Sequence, residues 1–337
     1  MRIRLSPHHV FARLRGREGN VGPSRRFSWN RQRSFLHHPF RYQLNLPADI
    51  REEYPFKGKL LELEGGWRLH YLDEGEGVRP PILMLHGNPT WSFFYRKLIL
   101  ALREEDRCIA PDHLGCGLSD KPSHCSFPYD LSSHIGNLRT LLDRLGIDKV
   151  RLVVHDWGGA IGLGAFRDVP ELVDRLVILN TAAFLSPRVP KRILLCRLPV
   201  LGAFLVRGLN AFSGLAARMA VVKALPNAVR KGFLLPYDSW ANRVAVWRFV
   251  RDIPHEANHP TRPLVADIEN KLSRFAGTPK MACWGLRDFC FSEHFLDQCR
   301  DRFPDLQVQS FADSGHYLLE DATDECIPSI VAFLRNA

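Results

Sequence analysis

From about residue 60 the apolar positions alternate between short continuous runs and stretches spaced at three and four residues. Leu60-Leu-Glu-Leu-Glu, the pair Gly65-Gly66 and Trp67-Arg-Leu-His-Tyr-Leu predict an antiparallel hairpin. Pro81-Ile-Leu-Met-Leu is apolar throughout and predicts a fully buried strand that ends at His86-Gly-Asn-Pro89. A helix is expected over 91–102, a short strand over Arg107-Cys-Ile-Ala-Pro111, and a glycine-containing loop over Asp112-His-Leu-Gly-Cys-Gly-Leu-Ser119. Between Tyr129 and Leu145, the residues Leu131, Ile135, Leu138, Leu141, Leu142 and Leu145 fall on one helical face. A strand over 150–154, a helix over 158–167 and a strand over Leu176-Val-Ile-Leu179 continue the alternation. Repeated strand–helix units imply an α/β fold with a mostly parallel central sheet and helices on both faces.

The pattern changes after Thr181. Residues 184–275 are helical in character, interrupted by eight prolines, and carry no convincing parallel strand. They read as an inserted helical cap. The alternation resumes with a strand over Pro279-Lys-Met-Ala-Cys-Trp284, a helix over 292–302, a strand over Val308-Gln-Ser-Phe311 and a helix over 323–335. The expected organisation is an N-terminal extension (1–45), a first core segment (46–183), the cap (184–275) and a second core segment (276–337). No internal repeat or low-complexity run is visible.

Charge separates the extension from the rest. The chain has 337 residues and a net charge of +10, but residues 1–45 hold ten arginines against one acidic residue, Glu18. Residues 46–337 therefore carry only +1, and a nucleic-acid-binding body is not expected. The extension lacks periodicity, contains Gly16, Gly19, Gly22 and Pro23, and reads as disordered or only partly docked. Its Arg-rich, acid-poor composition also resembles an organellar transit peptide or a basic arm for acidic surfaces. Apolar runs such as Ile193 to Leu205 are broken by Arg197, Pro199 and Gly202, so no transmembrane helix is expected. The eight cysteines form no Cys-x-x-Cys pair and no zinc-type spacing with histidine. With no secretory leader, that usage predicts reduced thiols and a cytoplasmic enzyme without a metal.

The segment Val150-Arg-Leu-Val-Val-His-Asp-Trp-Gly-Gly-Ala-Ile-Gly162 bears the chemistry. It reads as a buried strand, a sharp turn and a helix with Asp156 at the apex, at the sheet edge where open α/β folds bind ligands. Gly158 and Gly159 suit the tight turn, while Val154 stands where a glycine is usual two places before the apex. Asp156 is the candidate nucleophile; a helix-capping aspartate is the plain alternative. Asp288 and His316, each after a later predicted strand, complete an acid and base in the order nucleophile, acid, histidine. His113, His134 and His155 read as structural or surface residues, and Asp143, Asp174 and Asp238 as solvated or capping charges. The main-chain amides of Asn88 and Trp157 are the expected oxyanion donors, and their side chains are neutral donors suited to a leaving halide.

His86-Gly-Asn-Pro-Thr-Trp91, Asp112-His-Leu-Gly-Cys-Gly-Leu-Ser-Asp-Lys-Pro122 and His155-Asp-Trp-Gly-Gly159 resemble the haloalkane dehalogenases of the α/β-hydrolase superfamily. The resemblance runs from about residue 54 to the C-terminus and implies an α/β-hydrolase fold with a helical cap. His-Asp-Trp-Gly-Gly also occurs in epoxide hydrolases, which use two cap tyrosines; this cap has only Tyr237. The segment Leu179-Asn-Thr-Ala-Ala-Phe184 lacks the glutamate that one dehalogenase group uses as acid, which leaves Asp288 in that role. Trp240 and Trp247 are the tryptophans a second group would offer to halide. Asn88 with Trp157 resembles subfamily III, whose members tend to form large oligomers. Asn180-Thr-Ala-Ala-Phe184 and Arg287-Asp-Phe-Cys-Phe-Ser-Glu-His-Phe-Leu296 are equally similar to β-lactone decarboxylases of olefin biosynthesis, which share the Asp nucleophile.

As a haloalkane dehalogenase, Asp156 would displace halide from a carbon to form an alkyl ester. Water activated by His316, itself supported by Asp288, would then cleave that ester. No cofactor is implied; the partners are a small apolar substrate and water. The alternatives are a β-lactone decarboxylase, forming a cis-alkene, or another Asp-nucleophile α/β-hydrolase and, from another class, a non-catalytic ligand binder on the same scaffold.

Overall fold

The computed structural model describes residues 40–42 and 46–336 of the chain. Nine strands form one sheet: β1 (Phe40–Tyr42), β2 (Gly58–Glu62), β3 (Arg68–Glu74), β4 (Ile82–Leu85), β5 (Cys108–Pro111), β6 (Val150–Asp156), β7 (Val173–Thr181), β8 (Lys280–Gly285) and β9 (Gln307–Phe311). Their spatial order is β1-β2-β3-β5-β4-β6-β7-β8-β9. The pairs from β1 through β3 to β5 are antiparallel, and every pair from β5 to β9 is parallel. Every residue of β4, β6 and β8 is buried, as expected for strands covered on both faces.

The helices in chain order are α1 (Ala48–Glu53), α2 (Arg96–Leu102), α3 (Leu131–Leu145), α4 (Trp157–Phe166), α5 (Lys191–Arg197), α6 (Pro199–Ala203), α7 (Ala211–Met219), α8 (Asn227–Leu234), α9 (Val244–Arg251), α10 (Arg262–Asn270), α11 (Glu293–Arg302), α12 (Leu318–Asp321) and α13 (Thr323–Arg335). A π-helical turn, Phe204–Gly208, joins α6 towards α7. Two apolar layers sandwich the sheet: one gathers Leu83, Leu152, Ile135 and Leu141, the other Met84, Val153, Trp91 and Ile330. The split follows the alternation of neighbouring strand residues between faces.

The hairpin, the alternating units and the helical stretch after Thr181 lie where the apolar pattern puts them. The extension differs in one place: Phe40–Tyr42 is an edge strand antiparallel to β2, although composition groups it with the basic tail. Three residues are too few to leave a periodic signal. The rest of 1–45 lies outside the described residues. Helix α1 was not anticipated either; it buries only Ile50, so its six residues carry almost no amphipathic pattern.

Between β7 and β8 only helices and loops occur, and they cover the carboxyl ends of the parallel strands. Buried polar contacts clamp this insertion to the core. The Trp91 indole donates to the Gly232 carbonyl at 3.1 Å, and the Tyr237 hydroxyl to the Thr90 carbonyl at 3.3 Å. Asp252, at the end of α9, accepts the first amide of α3, from Leu131, at 2.8 Å and the Thr261 hydroxyl. Among the described residues no single helix is long and apolar enough to cross a membrane. All eight cysteines are free.

Candidate active site

Asp156 ends β6 and immediately precedes α4, with φ 51° and ψ −127°. This is a strained conformation for a residue with a side chain, and its surroundings hold it. Thr181, at the end of β7, donates its hydroxyl to the Asp156 main-chain carbonyl. Any Cβ on Gly158 would overlap the Leu85 carbonyl, and one on Gly159 would overlap the Thr181 side chain, so both glycines are required by close approach. The Asp156 side chain makes no capping bond to α4, which removes the helix-cap alternative. Instead, Oδ1 accepts the Asn88 main-chain N–H at 2.6 Å.

The Asn88 loop is itself locked. His86 donates from Nδ1 to the Gly87 carbonyl at 2.8 Å and accepts the His113 amide on Nε2 at 2.9 Å. A Cβ on Gly87 would collide with the Asp156 carboxylate, so only glycine lets this loop reach the carboxylate.

On the other side, His316 turns Nε2 towards Asp156 Oδ2 at 3.8 Å and bonds Asp288 Oδ2 through Nδ1 at 2.7 Å. Asp288 is further held by the Cys290 amide at 2.7 Å and by the Asn180 side-chain amide at 3.0 Å. Asn180 also bridges to Gly285, donating to its carbonyl at 3.1 Å and accepting its N–H at 2.9 Å. His155 donates from Nε2 to the His316 carbonyl at 3.0 Å and stacks on Phe94 at 4.2 Å between centroids. Asp156, Asp288 and His316, distant in sequence, thus meet, with His316 hydrogen-bonded to Asp288 and facing Asp156 across 3.8 Å.

Burial raises Asp156 above its ordinary carboxylate range; His316 and the Asn88 and Trp157 amides oppose the shift without cancelling it. Burial alone would lower His316, but the Asp288 carboxylate, through charge and hydrogen bond, and then the Asp156 charge outweigh it, and its pKa is raised.

Asp156, Asn88, Trp157 and His316 line one end of a cavity of about 160 Å³. Its remaining walls are largely apolar, with Phe184, Ile193, Phe212, Val250, Phe291 and Phe295 among them, and exposed Arg188 marks the solvent side. Such a chamber suits an apolar molecule with one reactive group.

The neutral donors divide. The Trp157 indole N–H has no hydrogen-bond partner among the described residues, while the Asn88 side-chain amide donates to the Val246 carbonyl in α9 at 3.1 Å. Tyr237 is buried against Thr90, and Trp240 and Trp247 stand outside the cavity. His113 and His134 are buried structural rings, the first bonded to the His86 carbonyl at 2.9 Å and the second stacked on Phe249 at 4.5 Å.

Asn180 and Thr181 support the site from the end of β7, through Asp288 and the Asp156 carbonyl. Their signal was present: two polar residues closing the apolar strand Leu176-Val-Ile-Leu179.

Comparison with known proteins identifies the family. A family model described as the alpha/beta hydrolase fold matches residues 80–323. A cis-3-alkyl-4-alkyloxetan-2-one decarboxylase of Shewanella oneidensis is 47% identical over 287 residues, covering 84% of this chain and 89% of the relative. One of the same name from Xanthomonas campestris is 41% identical, covering 84% and 97%. Haloalkane dehalogenase 2 of Mycobacterium tuberculosis is 32% identical, covering 82% and 95%. Among solved structures, haloalkane dehalogenase DbeA of Bradyrhizobium elkani superposes with a TM-score of 0.74 at 24% identity, covering 80% of this chain and 94% of that one; this likeness concerns the fold.

Proposed function

The chain belongs to the α/β-hydrolase family, and from that premise we propose that it decarboxylates a cis-3,4-dialkyl-oxetan-2-one, a four-membered β-lactone, to an alkene and carbon dioxide. The observation that carries this reading is the 47% identity, sustained over 84% of the chain, to a decarboxylase of that name. The site's chemistry supports it. Dehalogenase, the first reading of the motifs, becomes the second.

In the proposed reaction, Asp156 Oδ2 attacks ring carbon 4 and the C4–O bond breaks, releasing the lactone's own carboxylate. That carboxylate then leaves as carbon dioxide: the C2–C3 pair becomes the C3=C4 π bond and the Asp156–C4 bond breaks, returning the carboxylate of Asp156. Inversion at C4 followed by anti departure keeps both alkyl groups on one side, so a cis lactone gives a cis alkene. No proton moves and no water is consumed. His316 in its charged form, oriented by Asp288, stabilises Asp156 as it departs, while the Asn88 amide fixes the other oxygen. The apolar chamber shelters the alkyl chains.

One observation favours hydrolytic dehalogenation as a second reading: the unpartnered Trp157 indole at the cavity wall is a free neutral donor for halide. The engaged Asn88 side chain weakens the matching half of that clamp.

The deciding experiment supplies purified protein with a cis-dialkyl β-lactone and, separately, with 1-bromo- and 1-iodoalkanes, using Asp156→Ala as control. Cis-alkene from the lactone, lost in the variant, is expected. Halide release without alkene would overturn the proposal in favour of the second reading.

A further inference from the structure

The outer face of the helical insertion has a composition that the reaction does not explain. Residues 182–237 carry nine Lys and Arg and no Asp or Glu. Only Arg197 and Lys231 pair with a carboxylate; the other seven, Arg188, Lys191, Arg192, Arg207, Arg218, Lys223 and Arg230, have no carboxylate partner among the described residues. Interleaved with them are large apolar side chains left in solvent: Leu195, Val200, Phe204, Leu209, Leu215 and Met219, with Val200 84% and Leu209 61% exposed. Monomers rarely leave such groups clustered without use.

These residues are neighbours in space. Arg192 of α5 reaches the Met219 sulfur of α7 at 3.8 Å. A Cβ on Gly208 would touch both Phe204 and Trp240, and Arg207 lies over the exposed Trp240 ring at 4.5 Å. The same helices wall the cavity from inside. Phe212, Ala216 and Ala220, at four-residue spacing, face the chamber, while Leu215, Arg218 and Met219 face outwards. Only one layer of helix separates the apolar chamber from the apolar, cationic face.

We propose that this face, α5 to α7 with the intervening turns, docks on an anionic lipid surface, and that apolar ligands pass between bilayer and cavity beside Arg188. Apolar side chains among cations are what an interfacial segment presents to headgroups and acyl chains, and an arginine-stacked tryptophan suits the boundary. Charge selects the occupant. A second copy would bring the same cations against these, and the N-terminal residues 1–45, with ten arginines and one glutamate, would be repelled. Anionic lipid is complementary. The proposal does not depend on which reaction Asp156 performs.

The test is co-sedimentation of the full chain with phosphatidylcholine vesicles, with and without phosphatidylglycerol. Two double variants, Lys191→Glu with Arg192→Glu and Phe204→Ser with Leu209→Ser, lie outside the active site, so thermal melting and turnover of a short-chain substrate should match the parent. The parent is expected to bind the anionic vesicles, and each double variant to bind at least about tenfold more weakly. Undiminished binding in both variants would assign the attraction to the basic N-terminal residues and overturn the proposal. Absence of binding would overturn it too; in that case a lower sedimentation coefficient in the Phe204/Leu209 variant would assign the face to a second copy.

Discussion

Asn180 and His316 meet on one oxygen atom: both hydrogen-bond Oδ2 of Asp288, at 3.0 and 2.7 Å. The asparagine never reaches the cavity, yet it sets where the carboxylate stands and therefore how His316 is turned. Replacing Asn180 with Leu leaves Asp288 short of one buried donor. A fall in kcat of about ten- to a hundredfold with little change in KM is expected, the rate equivalent of one lost buried hydrogen bond. Steady-state kinetics checks it; an equal effect on KM would point to a general disturbance of the fold.

The pH profile separates the two readings of the site. Asp156 must be ionised to attack, and burial raises its pKa, so activity should fall with acid before pH reaches the ordinary 3.8. His316 is raised above 6.5. If its charged form supports decarboxylation, activity also falls as pH rises through that elevated value. A hydrolytic base must be neutral, so dehalogenation would rise through the same range. The sign of this alkaline limb, read from kcat against pH, is the check.

Isotope labelling gives an independent answer. In the decarboxylation scheme Asp156 departs with the oxygen it attacked with, so turnover in heavy-oxygen water should leave its carboxylate unlabelled. Hydrolysis of an ester at Asp156 would place solvent oxygen there at each turnover. Mass spectrometry of the peptide containing Asp156 distinguishes the outcomes.

Asp252 couples the insertion to the core and carries a pH dependence of its own. Burial pushes its carboxyl to about 7, despite the hydrogen bonds from Thr261 and Leu131. The folded state thus holds this proton more tightly than the unfolded chain does. Its contribution is complete below about pH 4 and is lost as pH rises through 7, a swing of roughly 4 kcal/mol in the two-state limit. Asp252→Asn should flatten that slope in denaturant melts taken across the range.

Gly87→Ala tests the closeness of the loop to the carboxylate. The added methyl meets Asp156 itself, so the Asn88 loop must retreat. Loss of the 2.6 Å amide bond should cost about a hundredfold or more in kcat, as for the removal of one oxyanion donor. Circular dichroism and kinetics together check that the fold survives while the rate falls.

The sequence announces most of this architecture because buried parallel strands are apolar throughout and helices repeat at a different period. Asp156, Asp288 and His316 were legible for a related reason: each ends or follows such a strand, where a polar residue has few structural uses. Asn180 was harder to see, since one asparagine at the end of an apolar strand reads as a boundary. The engagement of Asn88 with Val246 could not be read at all, because it joins residues 158 positions apart across two layers. Phe40–Tyr42 was missed because a three-residue edge strand has no period to detect.

Strands β7 and β8 lie side by side, yet residues 182–279 intervene between them. Most of the cavity wall belongs to this single excursion, whereas Asp156, Asp288, His316 and Asn180 all lie outside it. The chain therefore writes reactivity and molecular taste in separate passages. A descendant can acquire a new diet by rewriting the middle passage, inheriting its chemistry intact.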